Sequence, residues 1–135
     1  MLETNLQETR DKLNAVSRII VTSAIEVHRH MGPGLLESIY QHCLVAELRM
    51  RDLYVEQMVP IKLHYKSIAL EKVFLIDLLV EREIILELKA VEGIDPLYEA
   101  QLLSYLKLAD KRLGFLINFN VPLVKDGLKR MVHNF

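Results

Sequence analysis

Three ionisable residues lie inside runs that should be core. The stretch from Asp77 to Lys89, Asp-Leu-Leu-Val-Glu-Arg-Glu-Ile-Ile-Leu-Glu-Leu-Lys, reads as two apolar strands joined by a tight charged turn. With the turn at Glu81 to Glu83, Asp77 and Glu87 each stand five residues from its centre, Arg82, and so face each other across the ladder. Facing residues of an antiparallel pair have Cβ atoms roughly 4.5 to 5.5 Å apart, and like charges there repel. Side chains alternate faces along a strand, so Glu87 and Lys89 point one way while Ile84, Leu86 and Leu88 point the other. Two acids and an ammonium therefore converge on one surface. A hard divalent cation, held by one or two carboxylates plus water and phosphate oxygens, would resolve the repulsion.

The rest of the chain is read around this hairpin. Leu13, Val16, Ile20, Ala24, Val27 and Met31 recur at spacings of three and four, which predicts an amphipathic helix from about residue 10 to 31. Gly32-Pro33-Gly34 stops it, and a second helix follows from about Leu35 to Arg51. Alternation from Val55 through Tyr65, a turn at Lys66-Ser67 and a return from Ile68 predict another hairpin, with a kink near Glu71-Lys72. Together these strands form an antiparallel meander ending in the charged hairpin. Asp95-Pro96 is a helix start, predicting a helix to about Asp110. Gly114 to Asn118 is a short apolar run after a helix, expected to lie parallel to a core strand, and a last edge strand is expected after Asp126-Gly127. The fold class is thus mixed α/β (α+β): one sheet flanked by helices, in a single domain over residues 1–135.

Composition excludes several classes of function. No apolar run approaches the roughly 20 residues of a membrane span, and the N-terminus has no signal-peptide pattern, so the expected location is cytoplasmic. Cys43 is the only cysteine, which excludes a disulfide framework or thiolate zinc cluster and marks it as a small buried helix residue. The histidines lack metal-ligand spacing, and His28, beside the apolar stripe of the first helix, reads as a satisfied core histidine. There is no glycine-rich phosphate loop, nucleophile elbow or Cys/His dyad. The net charge of −1 gives no general attraction to nucleic acid. From residue 107 onward, however, six basic residues stand against two acids, a local net of +4 that reads equally as a phosphate contact or a solvated surface.

Singly, the remaining polar residues are weak signals. Glu37 and Tyr40 share a face at the start of the second helix, where an acid is stabilised by the helix dipole with no function attached. Gln101 and Tyr105 share a helix face with Tyr98 and Leu102, the side expected to meet the sheet. Taken as an ordered set they are specific. An Asp on one strand, Glu-x-Lys on the next, an upstream helical Glu and a downstream Gln-x-x-x-Tyr helix resemble the PD-(D/E)XK nuclease superfamily. More narrowly, Ile25-Glu-Val-His28, Gly34-Leu-Leu-Glu37-Ser-Ile-Tyr40, Glu87-Leu-Lys89-Ala-Val-Glu, Glu99-Ala-Gln101-Leu-Leu-Ser-Tyr105 and Leu116-Ile-Asn-Phe-Asn120 resemble the GxxExxY family of small bacterial and archaeal proteins.

The resemblance implies a restriction-endonuclease-like core of α-β-β-β-α-β order with an added N-terminal helix. It implies Asp77 and Glu87 as metal-binding carboxylates, with the backbone carbonyl of Leu88 as a further ligand, and Mg²⁺ or Mn²⁺ as the cofactor. Lys89 would orient or activate the attacking water, Glu37 would complete the acidic cluster, and Gln101 and Tyr105 would support the site or touch the DNA strand, with Tyr40 beside the substrate. Ile76 stands where the superfamily signature has proline, and the acid itself is intact. The implied function is metal-dependent hydrolysis of DNA phosphodiesters, with a homodimer or larger complex as one way to embrace a duplex. The alternative is a catalytically quiet module that binds nucleic acid or protein on the same fold.

Overall fold

A computed structural model describes residues 2–135, with side chains throughout except at residues 2–4 and 71–73. Helix α1 (Leu2–Met31) and helix α2 (Glu37–Met50) come first, followed by strands β1 (Val55–Tyr65), β2 (Ile68–Val80) and β3 (Ile84–Lys89). Helix α3 (Pro96–Ala109), strand β4 (Leu113–Asn118), a 3₁₀ turn (Val124–Gly127) and strand β5 (Leu128–Val132) complete the chain. The five strands lie in the order β1-β2-β3-β4-β5. Every pair is antiparallel except β3 with β4, which run parallel because α3 carries the chain back across the sheet between them. The mixed sheet, the parallel placement of β4 and the final edge strand all agree with the sequence expectation.

Helix α1 extends about two turns further toward the N-terminus than its apolar stripe announces. Leu13, Val16, Ile20, Ala24 and Val27 are buried as expected, whereas Met31 is exposed beside the helix end. Gly32 and Gly34 both have positive φ, 71° and 94°, and the Gly32 N–H caps the helix by donating to the His28 carbonyl at 2.8 Å. These left-handed positions suit residues without a Cβ. Helices α1 and α2 cover one face of the sheet, packing on Leu78, Val80, Ile84, Leu86, Leu88, Phe115 and Ile117. Helix α3 covers the other face through Leu102 and Leu106, which meet Leu79, Ile85 and Leu116. Covered on both sides, β3 and β4 are buried along nearly their whole length, and β4 reads as a continuous apolar run up to Asn118. Gly114 lets α3 approach closely: a Cβ there would stand 3.0 Å from Leu102 and 3.1 Å from the Ile85 carbonyl.

The ribbon formed by β1 and β2 turns over partway along its length. Val55, Leu78 and Val80 belong to the α1–α2 side, yet Ile61 and Ile76, at the same strand parity, pack with Leu102 and Leu106 on the α3 side. The inversion falls at Met58, whose φ of 51° is left-handed and which lies between the pairs Gln57–Leu78 and Val59–Ile76, opposite Asp77. A second irregularity shifts the register between Ile61 and Leu63. The kink expected at Glu71-Lys72 lies next to that shift, on side chains outside the described residues. Beyond the inversion the ribbon curls over α3, bringing the Phe74 ring to 5.5 Å from that of Tyr105.

Candidate active site

The β2–β3 ladder pairs Val80 with Ile84, Leu79 with Ile85 and Leu78 with Leu86, and stops there. Past that point side chains replace the ladder. The Asp77 N–H donates to Glu87 Oε1 at 3.2 Å, and the Leu88 N–H donates to Asp77 Oδ2 at 2.8 Å. Each carboxylate thus satisfies a backbone donor of the opposite strand, in an exchange made possible by the inversion at Asp77. The tight turn that sets this register has Glu81 and Arg82 at φ of 52° and 59°, with the Glu83 N–H donating to the Val80 carbonyl at 3.0 Å. Two consecutive left-handed residues match the right-handed twist of a hairpin.

Lys89 ends β3 on the same face. Its carbonyl accepts from the Phe119 N–H at 3.0 Å, and the chain just beyond it is clamped by Asn118. That buried side chain accepts from Val91 N–H at 3.1 Å and donates to the Val91 carbonyl at 2.9 Å. The Lys89 ammonium rests 4.4 Å from the centre of the Tyr98 ring, on α3. Among the described residues the ion pairs join Glu26 to Arg29 and His30, and Glu47 to Arg51, so Lys89 is held near the acids by backbone and by an aromatic face rather than by direct pairing.

The electrostatics follow from burial. Glu87 is only 9% exposed, and burial first, then the charge of Asp77, pushes its pKa up to about 8. The Asp77 N–H and Lys89 oppose that rise without cancelling it. Asp77 is also raised, by burial, against the pull of the Leu88 N–H and Lys89. Without a cation, then, the pair keeps a proton near neutral pH because two adjacent buried charges cannot both be supported. Glu37, at the first turn of α2, is raised by partial burial and by Asp77. The Tyr105 hydroxyl is raised by burial, then by Glu87 and Asp77, which marks it as a neighbour of the acids.

Several expectations need correction. Tyr40 is fully buried, stacked on Phe119 at 4.5 Å, with its hydroxyl donating to the Gly32 carbonyl at 2.5 Å and accepting from Leu35 N–H at 3.1 Å. It fixes the Gly-Pro-Gly loop and leaves no surface for a substrate. Gln101 does not face the sheet, because Leu102 and Leu106 take that side; it is exposed on α3, lining a cleft with Phe74 and Tyr105. Glu37 stands close enough to Asp77 and Glu87 for their charges to interact, while among the described residues no three His, Cys, Asp or Glu side chains form a metal cage. Of the basic residues from 107 onward, two are engaged within the chain. Arg112 donates to the Asn134 carbonyl, and Arg130 to Asn14 and Ser17, so both serve the packing of the chain end. His28 is the satisfied core histidine expected, its Nε2 2.8 Å from the Val121 carbonyl. Tyr98 and Phe74 were not singled out from sequence. For Tyr98 the signal was its place on the Tyr105 face, but only the structure shows Lys89 lying over it.

The donor set suits a hard cation of modest protein coordination. Asp77 and Glu87 supply carboxylate oxygens that lack a direct cationic partner among the described residues, and the remaining positions would fall to backbone, water or phosphate, the usual pattern for Mg²⁺.

Residues 14–131 match the family model described as the PD-(D/E)XK nuclease superfamily, and the chain belongs to that superfamily. No curated protein and no solved structure matches it. Nucleases of the superfamily generally use divalent metals and act on nucleic acid.

Proposed function

We propose that this member of the PD-(D/E)XK nuclease superfamily hydrolyses DNA phosphodiester bonds with Mg²⁺ or Mn²⁺ at Asp77 and Glu87. The observation that carries the reading is the exchange of carboxylate-to-backbone bonds where the β2–β3 ladder ends, which sets two acids side by side with no ion-pair partner among the described residues. The Leu88 carbonyl, between Glu87 and Lys89 in sequence, is assigned as a further ligand. A bound divalent ion would neutralise charge at phosphorus, lower the pKa of water and support the leaving oxygen. Asp77 and Glu87 would hold that ion once both are ionised. Lys89 offers its ammonium to the attacked phosphate and to the incoming water, its approach fixed by Tyr98 and by the clamp at Val91. Tyr105 keeps its hydroxyl proton beside the acids and can donate it to a phosphate oxygen. Glu37 approaches from α2 and orders water at the edge of the site. Gln101 faces the cleft next to Tyr105, placed to touch the strand being cut. The Gly34, Glu37 and Tyr40 spacing supports the narrower assignment to the GxxExxY family, with Tyr40 in a structural part.

The experiment is cleavage of single- and double-stranded DNA and RNA by purified protein with Mg²⁺ or Mn²⁺, beside Glu87→Ala and Lys89→Ala. Metal-dependent cleavage lost in both variants is expected. Equal cleavage by all three proteins would mean a contaminant and defeat the assignment. A second reading, a quiet binding module on the same fold, draws on the proton that the acid pair retains near neutral pH. Calorimetric titration separates the two, since a site that binds Mn²⁺ in the wild type and not in Glu87→Gln is a working metal site.

A further inference from the structure

The cleft beside the acids continues along α3. Its first part, a cavity of about 240 Å³, is lined by Phe74, Leu97, Gln101, Ser104, Tyr105 and Leu108. Leu108 also lines the next cavity, of about 260 Å³, where Lys62 of β1 and Lys111 just past α3 stand at the rim. The order along this track is therefore carboxylates, an aromatic pair, Leu108, then two ammonium groups. Phe74 is 43% exposed and Leu97 59% exposed, so the aromatic part opens to solvent rather than being core. Each cavity is smaller than the roughly 300 to 1,000 Å³ of a typical small-molecule site. Such a track suits successive parts of one extended ligand.

Stacking faces joined to cations along a groove are the means by which proteins hold single-stranded nucleic acid: every base has a π-face, and the backbone carries the charge. A duplex offers neither unstacked base to the ring pair. We propose that the substrate is a single strand lying in this track, with one unpaired base against Phe74 and Tyr105 and its phosphates directed to Lys62 and Lys111. The inversion at Met58 and Asp77 builds the track, since it swings the ribbon carrying Phe74 and Lys62 over α3. Gln101, at the rim beside the ring pair, offers an amide to the edge of that base. This substrate class rests on the reading of the carboxylate end as the site of hydrolysis.

The test measures binding without cleavage. Fluorescein-labelled oligo-dT and oligo-U, an abasic oligonucleotide of equal length and a duplex are titrated with the protein in EDTA and followed by anisotropy. Tighter binding of the base-bearing single strands than of the duplex or the abasic strand is expected, and the two oligomers separate DNA from RNA. Phe74→Ala should weaken the base-bearing strands about tenfold and leave the abasic strand unchanged, while Phe74→Tyr should restore binding. The double variant Lys62→Gln, Lys111→Gln should weaken all single strands alike and reduce the slope of log affinity against log salt by roughly 1.4, about 0.7 for each phosphate contact. Duplex bound as tightly as single strand, equal weakening of abasic and base-bearing strands by Phe74→Ala, or an unchanged salt slope would each overturn the proposal. Base-dependent binding without cleavage in Mn²⁺ would remove the hydrolytic reading and keep the track. Cleavage that prefers duplex and ignores Phe74 would remove the track and keep the hydrolytic reading.

Discussion

Replacing Glu87 with glutamine should stabilise the metal-free protein at alkaline pH. The amide is nearly isosteric, and its Oε1 can still accept the Asp77 N–H that Glu87 now takes at 3.2 Å. What the change removes is the cost of ionising a buried carboxyl next to Asp77. Glu87 has a folded pKa of about 8 against an ordinary value of 4.5. Because that pKa is raised, the folded state holds a proton that the unfolded state releases throughout this window. Stability from this group is full below pH 4.5, falls as pH rises through the window and levels off above about 8. Each pH unit of that gap corresponds to about 1.4 kcal/mol, so the ceiling is on the order of 5 kcal/mol. At roughly 3 °C per kcal/mol for a domain of this size, Glu87→Gln should exceed wild type by several degrees in Tm at pH 8.5 and meet it near pH 4.5. The assay is thermal unfolding by circular dichroism in EDTA across that range, reading the difference between the two proteins so that other titrating groups cancel. Parallel curves, with a constant offset from pH 4.5 to 8.5, would refute the argument that burial and Asp77 hold Glu87 protonated.

Other expectations follow from the same geometry. Saturating Mn²⁺ should raise the wild-type Tm most at pH 8 and little at pH 5, where Glu87 holds its proton, and should leave Glu87→Gln unchanged; a pH-independent rise would place the ion elsewhere. Tyr40→Phe removes a hydroxyl that satisfies both Gly32 and Leu35, and should cost roughly 1–3 kcal/mol in denaturant unfolding with Mn²⁺ affinity preserved. Asn118→Ala leaves the Val91 N–H and carbonyl without their partner, and should lower stability by about 2–4 kcal/mol and reduce cleavage through a looser Lys89; unchanged activity at full folding would separate the clamp from the lysine. Asp95→Ala, losing the cap bond to the Leu97 N–H at 2.9 Å, should cost about 1 kcal/mol without altering metal binding.

The carboxylate hairpin was legible in sequence because period-two alternation and a turn centre fix register, and Asp77 does lie across from Glu87. The helix start at Asp95-Pro96 was legible for a similar reason, since its cap is a local bond. The parallel strand β4 was readable from its continuous apolar run. Gln101 was misplaced because the apolar positions of α3 spread around much of the helix, so periodicity does not choose between the Leu102 side and its flanks. Tyr40 was misread because a tyrosine on a helix near an acid looks alike whether its hydroxyl meets ligand or loop; the Gly32 and Leu35 partners arise from the path of the chain around Gly34. The inversion at Met58 left no mark in the pattern, since residues before and after it keep the same parity while changing face. Without that inversion Phe74 is only a strand residue, and its meeting with Tyr105 is a tertiary event.

The inversion also divides the labour of stability. The sheet from β3 to β4 is covered on both faces, and its residues from Ile84 to Leu88 and Leu113 to Asn118 are buried without exception. The distal ribbon presents Tyr65, Ile68, Leu70, Phe74 and Leu75 to solvent and is anchored to α3 chiefly through Ile61 and Ile76. Opening the ribbon therefore exposes little that was buried, and its amides should exchange with solvent well before those of β3. Asp77 stands at the border between the two regimes. Of its strand neighbours, Leu78 belongs to the sheet centre and Ile76 to the distal ribbon, so the same residue that faces Glu87 also marks where local opening should stop.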